Sequence, residues 1–176
     1  MMTDGYPFIF QMNDYPYMKD PVLEYTMQYR FTSAKSRHKY IVRVERYIKH
    51  SYCVKFFDKA NMASDLKFSL RTGTFEVRTI LYTLFHIMLD VLKRDPKASF
   101  FFIGETDEKD IPGRATRRFR IYRRFVSTLI GEQLFAHSRS DQLSLYILAN
   151  RSAVDDVDAY FQEITAYVAE ALEGTY

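Results

Sequence analysis

The chain predicts an α+β fold built on an antiparallel sheet, and three features of its sequence carry that prediction. Residues 22–71 hold short stretches in which apolar and polar side chains alternate, the period of a half-buried strand. Residues 75–93 change to a helical period, and a second run of short strand and helix patterns follows. Hydrophobic residues make up 47% of the chain and aromatics 16%, supplied wholly by 14 tyrosines and 15 phenylalanines. That content excludes a disordered chain and demands a sizeable core, a contact surface, or both.

Pro7, Pro16 and Pro21 interrupt residues 1–21, which read as an irregular arm packing through Tyr6, Phe8, Phe10, Tyr15 and Tyr17. Residues 22–176 then read as a single domain. Strands are expected at 22–31, 39–49, 52–58 and 65–71, with the polar loop 33–37 as the first turn of an antiparallel meander. Along 39–49, Tyr40, Val42, Val44, Arg46 and Ile48 stand opposite Ile41, Arg43, Glu45 and Tyr47. Thr72-Gly73-Thr74 marks the change to the helix at 75–93. Its stripe of Val77, Leu81, Leu84, Phe85, Met88 and Leu92, widened by Ile80, Ile87 and Val91, is broad enough to cover a sheet. Glu76, Thr79, Thr83, Asp90 and Lys93 fall on the other side, and Asp95-Pro96 ends the element.

A short interior strand is expected at 98–103, followed by a polar loop over 104–110. Pro112-Gly113 opens a second helix reaching about Ile130, with Gly131 suited to its C-terminus. A hairpin of 133–138 and 143–148 turns around Arg139-Ser140-Asp141. The last helix starts near Ser152, where Ser152-x-x-Asp155 has the form of a capping box, and aligns Val157, Phe161, Ile164, Val168 and Leu172. The order is ββββα followed by βαββα.

Several function classes drop out. The single cysteine, Cys53, allows no intrachain disulfide and no multi-cysteine zinc site. No apolar run reaches the roughly 18 residues of a membrane span, and residues 1–5 lack the pattern of a signal peptide, so no membrane partner and a cytoplasmic location are expected. Gly-x-Ser-x-Gly, Walker and Rossmann patterns are missing, and neither a catalytic residue nor a cofactor is assigned. The acidic loop of Glu105, Asp107, Glu108 and Asp110 follows a strand, where a small metal-dependent nuclease would hold its ion. Its spacing matches no metal-binding loop, and a solvated helix entry is the simpler reading. His38, His50, His86 and His137 show no ligand-like pairing, so no metal site is assigned.

A net charge of +3 and a pI near 8.9 are too mild to argue for a polyanion, so the distribution of charge matters more. Residues 114–124 hold six arginines in eleven positions. At 100° per residue Ala115, Phe119, Tyr122, Val126 and Leu129 form the inner stripe, with Arg117, Arg120 and Arg124 opposite and Arg114 at the entry. Arginine forks match phosphate oxygens, and the helix start beside Arg114 and Arg117 is a place for an anion. The plainer alternative is a solvated face paired with the acids of 105–110. A second basic area sets Lys39, Arg43 and Tyr47 among aromatics on the predicted sheet, the arrangement single-strand binders use. An ordinary charged outer face explains the same alternation.

From Tyr40 to Leu148 the order of features resembles a group of small bacterial proteins, common in Bacteroidetes and classed as a domain of unknown function. The residues concerned are the strand run ending near Leu70, the helix 76–92, Asp95-Pro96-x-Ala98, Phe101-Phe102-Ile103-Gly104, Arg117-x-x-Arg120-Ile121-Tyr122-Arg123 and Leu145-Tyr146-Ile147-Leu148. That resemblance implies no activity. The opening ββββα order is also similar to PUR and Whirly domains, which implies single-stranded nucleic acid as a partner by analogy of fold alone. The expectation is therefore a non-catalytic nucleic-acid-binding module. A protein-interaction or regulatory factor, acting on another cellular or phage machine through the aromatic arm of residues 1–21, is the alternative. The apolar and aromatic surplus of residues 6–31 makes a homodimer an expectation.

Overall fold

A computed structural model describes residues 5–18, 22–61, 76–104, 110–111 and 114–173. The chain divides into two compact units, Met1–Ala98 and Ser99–Tyr176. The mixed α and β content and the antiparallel pairing within each unit agree with the predicted class.

In the first unit β1 (Phe8–Asp14), β2 (Leu23–Thr32), β3 (Lys39–Tyr47) and β4 (Ser51–Asp58) pair in sequence order, each antiparallel to the next. A 3-10 turn, Lys59–Asn61, follows, and then α1 (Val77–Arg94). β1 is a departure from expectation, because the prolines around it predict irregular backbone. Pro7 and Pro16 lie just outside the strand and leave every residue between them free to pair. Tyr17, expected to pack, is fully exposed. The strand expected at 65–71 lies outside the described residues.

Alternation sets Met27, Tyr29, Phe31, Tyr40, Val42, Val44 and Tyr52 on one face of this sheet, toward α1. The centre of the helix stripe is Ile80, Ile87 and Val91, each at most 1% exposed, while Val77, Phe85 and Leu92 sit at its margins. Burial of each central side chain contributes about 1.5–3 kcal/mol. Three residues that the helical period places on the outer side do not belong there. Glu76 and Thr83 are buried, and Asp90 is tied to the sheet.

Hydroxyls make that tie. Tyr40, Tyr29 and Tyr52, one from each of β3, β2 and β4, are 0–1% exposed. Tyr40 donates to Glu76 at 3.3 Å, Tyr29 to Asp90 at 2.7 Å and Tyr52 to Asp95 at 2.9 Å. The three acids mark the start, the last turns and the end of α1. Burial, reinforced by the neighbouring carboxylates, pushes all three phenols well above the ordinary tyrosine range, so they stay neutral donors.

In the second unit β5 (Ser99–Ile103) and β6 (Phe135–Ser140) flank β7 (Leu145–Asn150), both antiparallel to it. Every residue of β7 is buried, and α2 (Arg117–Leu129) and α3 (Val157–Glu173) pack against it. The hairpin lies two residues later than expected, turning through 141–144 with Ser144 at φ 51°. α3 is not capped by Ser152, whose hydroxyl turns back to Asn150. Asp156 caps it, accepting from the Ala159 N–H at 3.0 Å. α2 ends at Ile130 in extended backbone, so Gly131 does not supply the left-handed cap that its sequence position suggests.

Candidate nucleic-acid interface

The start of α2 is held by a compact knot. Thr116 Oγ1 accepts from the Phe119 N–H at 3.1 Å and donates to the Gly104 carbonyl at 2.9 Å. The Thr116 N–H donates to Ser144 Oγ, and the Gly104 N–H to the Ser144 carbonyl. Phe119, fully buried, points inward from this knot together with Val126. The inner stripe is therefore the predicted one, with Ala115, Tyr122 and Leu129 half-buried at its edges. Seating that face turns Arg117, Arg120 and Arg124 outward, and Arg114 is exposed just before the helix.

Among the described residues no carboxylate lies within ion-pair distance of any of these four arginines. Arg120 donates one N–H to its own Ala115 carbonyl at 2.8 Å. On the flank Arg123 pairs with Asp141 at 3.2 Å, so among the described residues the helix has a neutralised side and a side without counter-charge. The anion expected at the helix start meets a competitor. Asp110 Oδ1 accepts from the Arg117 N–H at 2.9 Å, so the protein's own carboxylate occupies that position. Glu105, Asp107 and Glu108, expected as alternative partners or as nuclease ligands, lie outside the described residues.

The predicted sheet residues separate. Lys39 is exposed. Arg43 is consumed by Asp14 at 2.8 Å and Gln28 at 2.9 Å. Tyr47 donates to Glu45 at 3.1 Å. Tyr40, Tyr52, Phe56 and Phe57, the aromatics around them, are all buried, so they offer no exposed platform on which bases would stack.

One polar constellation is invisible in the sequence. At the β3–β4 turn Lys49 and His50 both have positive φ, 60° and 55°, and the Ser51 N–H bonds to the Ile48 carbonyl. This is a type I′ turn without the asparagine or glycine it favours, at a cost of about 1–2 kcal/mol per residue. The turn brings His50 Nδ1 to 2.7 Å from Asp95 Oδ2, which also accepts from Tyr52. So short a contact to a carboxylate assigns the proton to Nδ1. Arg46 spans the group, 2.7 Å from Glu24, 3.1 Å from the Tyr52 hydroxyl and 3.6 Å from Asp95.

Burial acts most strongly on the Asp95 carboxyl and raises its pKa. Hydrogen bonds from His50, Tyr52 and the Lys97 N–H together outweigh burial and hold it below the usual range. The linked stability is present above the ordinary aspartate pKa and is lost as pH falls through the depressed folded value. Asp95→Asn should cost about 1–3 kcal/mol at neutral pH, because its amide nitrogen would face hydrogen-bond donors. The gap from wild type should narrow as pH falls below about 4, where the wild-type carboxylate becomes protonated. Urea titrations across that range measure it, and a gap that widens in acid would contradict the account.

Among the described residues no three or more His, Cys, Asp or Glu side chains gather as a metal site, and no helix is long and apolar enough to cross a membrane. Comparison with protein-family models, curated proteins and solved structures finds no match for this chain.

Proposed function

We propose that the protein is a nucleic-acid-binding module that engages phosphates through the outer face of α2. The observation that carries this reading is the exposure of Arg114, Arg117, Arg120 and Arg124, whose guanidinium groups have no carboxylate partner among the described residues. Elsewhere Arg43, Arg46, Lys55 and Arg94 are each neutralised by a carboxylate. A cation without a counter-charge gives up little when it meets a phosphate, and its bound counterions are released. Arg117, Arg120 and Arg124, spaced three and four residues apart, project from one side of a rigid helix, as backbone contact needs.

Fluorescence anisotropy with labelled single-stranded DNA, single-stranded RNA and duplex DNA tests this at two salt concentrations. Binding should weaken steeply with salt, each lost phosphate contact lowering the log–log slope by about 0.7–0.9. Arg117→Ala combined with Arg124→Ala should lower it by about 1.5 and weaken binding at least tenfold. Unchanged binding by that variant would remove α2 from the interface, and no binding at low salt would retire the nucleic-acid reading.

A second reading, a contact with protein or with another copy of the chain, is favoured by the apolar exposure near β1. Ile9, Met12, Tyr15, Tyr17 and Met18 are all exposed within ten residues, at the edge of the first unit's sheet.

A further inference from the structure

Among the described residues, β1 to β4 carry five lysines and arginines: Arg30, Lys39, Arg43, Arg46 and Lys55. Arg43, Arg46 and Lys55 are paired with Asp14, Glu24 and Glu45. Arg30 and Lys39 are exposed and, among the described residues, have no acidic partner. Both line one open groove of about 460 Å³, together with Lys59 of the 3-10 turn, which is equally without a counter-ion among those residues. Ile9 and Ile41 supply its apolar wall, and Thr32 adds a hydroxyl. Strand register explains why the cations converge. Ile9 pairs with Arg30 and Arg30 with Ile41, so these three stand side by side, and Thr32 pairs with Lys39 one step along.

From this geometry we infer that the groove binds a phosphorylated ligand of about mononucleotide size. Its phosphate lies among Arg30, Lys39 and Lys59 and its less polar body lies against Ile9 and Ile41. The volume is that of a site for one small molecule. Three cations without an acidic partner among the described residues, beside two isoleucines, match a ligand that is anionic at one end and weakly hydrated at the other. The ligand's source is either a free nucleotide or a nucleotide unit within a single strand, since both present the same chemistry. The inference stands apart from the α2 interface, which lies in the other unit and involves none of these residues.

Titration of the full chain with uridine 5′-monophosphate, followed by ¹⁵N–¹H correlation spectra, tests it. Saturable shifts are expected at the amides of Ile9, Thr32, Lys39 and Ile41, with a dissociation constant of about 1 mM or tighter, and uridine without phosphate should leave them unmoved. Arg30→Glu with Lys39→Glu, both at exposed positions, should weaken binding at least tenfold with an unchanged melting temperature. Absent or scattered shifts, or binding indifferent to the charge reversal, would overturn the proposal whatever α2 does. A ten-residue oligothymidylate separates the sources. Tighter saturation of the same amides assigns the site to a strand, and weaker saturation assigns it to the free nucleotide. Loss of oligonucleotide affinity in the α2 variant, with the uridine monophosphate shifts intact, shows that the two sites are separate.

Discussion

Replacing Glu76 by alanine should destabilise the protein by about 3 kcal/mol, the upper range for leaving a buried polar group without its hydrogen-bond partner. Glu76 is only 2% exposed. It accepts from the hydroxyls of Tyr6 at 2.8 Å, Ser36 at 2.9 Å, Tyr40 at 3.3 Å, and Ser33 as well. These donors come from the segment before β1, from β3 and from the β2–β3 turn, so one carboxylate at the start of α1 ties three parts of the first unit together. Truncation leaves hydroxyls buried without an acceptor, each costing about 1–3 kcal/mol before relaxation. Ser33 and Tyr6 already lie 3.2 Å apart and would recover part of the loss by bonding to each other. Glu76→Gln should cost roughly half as much, since its carbonyl still accepts while its amide nitrogen opposes donors. Urea unfolding of both variants measures this, and an alanine variant within about 1 kcal/mol of wild type would refute the role.

The second large effect is expected at Gly104. A Cβ there would lie 2.5 Å from the Phe119 backbone nitrogen and 2.6 Å from Thr116 Oγ1. Neither contact can be relieved by swinging the end of a flexible side chain, since the nitrogen is backbone and the hydroxyl caps the helix. Gly104→Ala should cost about 3 kcal/mol, at the high end for an overpacked site, and should loosen the start of α2. Amide exchange at Phe119 should accelerate, and phosphate binding should weaken though no arginine has changed. Gly131→Ala provides the contrast, because nothing lies within 4 Å of the added methyl. It should stay within about 0.5 kcal/mol of wild type. Equal stability of the two variants would show that the close approach at Gly104 does not constrain the helix.

Much of the fold is legible in the sequence because it rests on periodicity. β2, β3, β4, α1, α2 and α3 fall within a few residues of their expected positions, and the stripe that seats α2 is the one its period indicates. The exposure of Arg114, Arg117, Arg120 and Arg124 follows from that stripe, so the helical period alone is enough to point to the candidate interface. β1 escapes the sequence reading because three prolines in twenty-one residues outweigh a short alternation.

What the sequence determined by itself is the set of amphipathic elements, since a period of two or 3.6 already states which side of each must leave water. Tertiary structure alone decided the polar pairings. Glu76 and Asp90 look like solvent-facing positions on a helical wheel, yet both meet tyrosine hydroxyls from strands some forty to sixty residues earlier. The same holds for Asp95, reached by His50 through a strained turn, and for Arg43 and Lys39, one silenced by Asp14 and the other left without a counter-charge among the described residues. The physical reason is range. Hydrophobic patterning is a property of neighbours along the chain, whereas a hydrogen bond or ion pair depends on a few tenths of an ångström between residues that only the fold brings together.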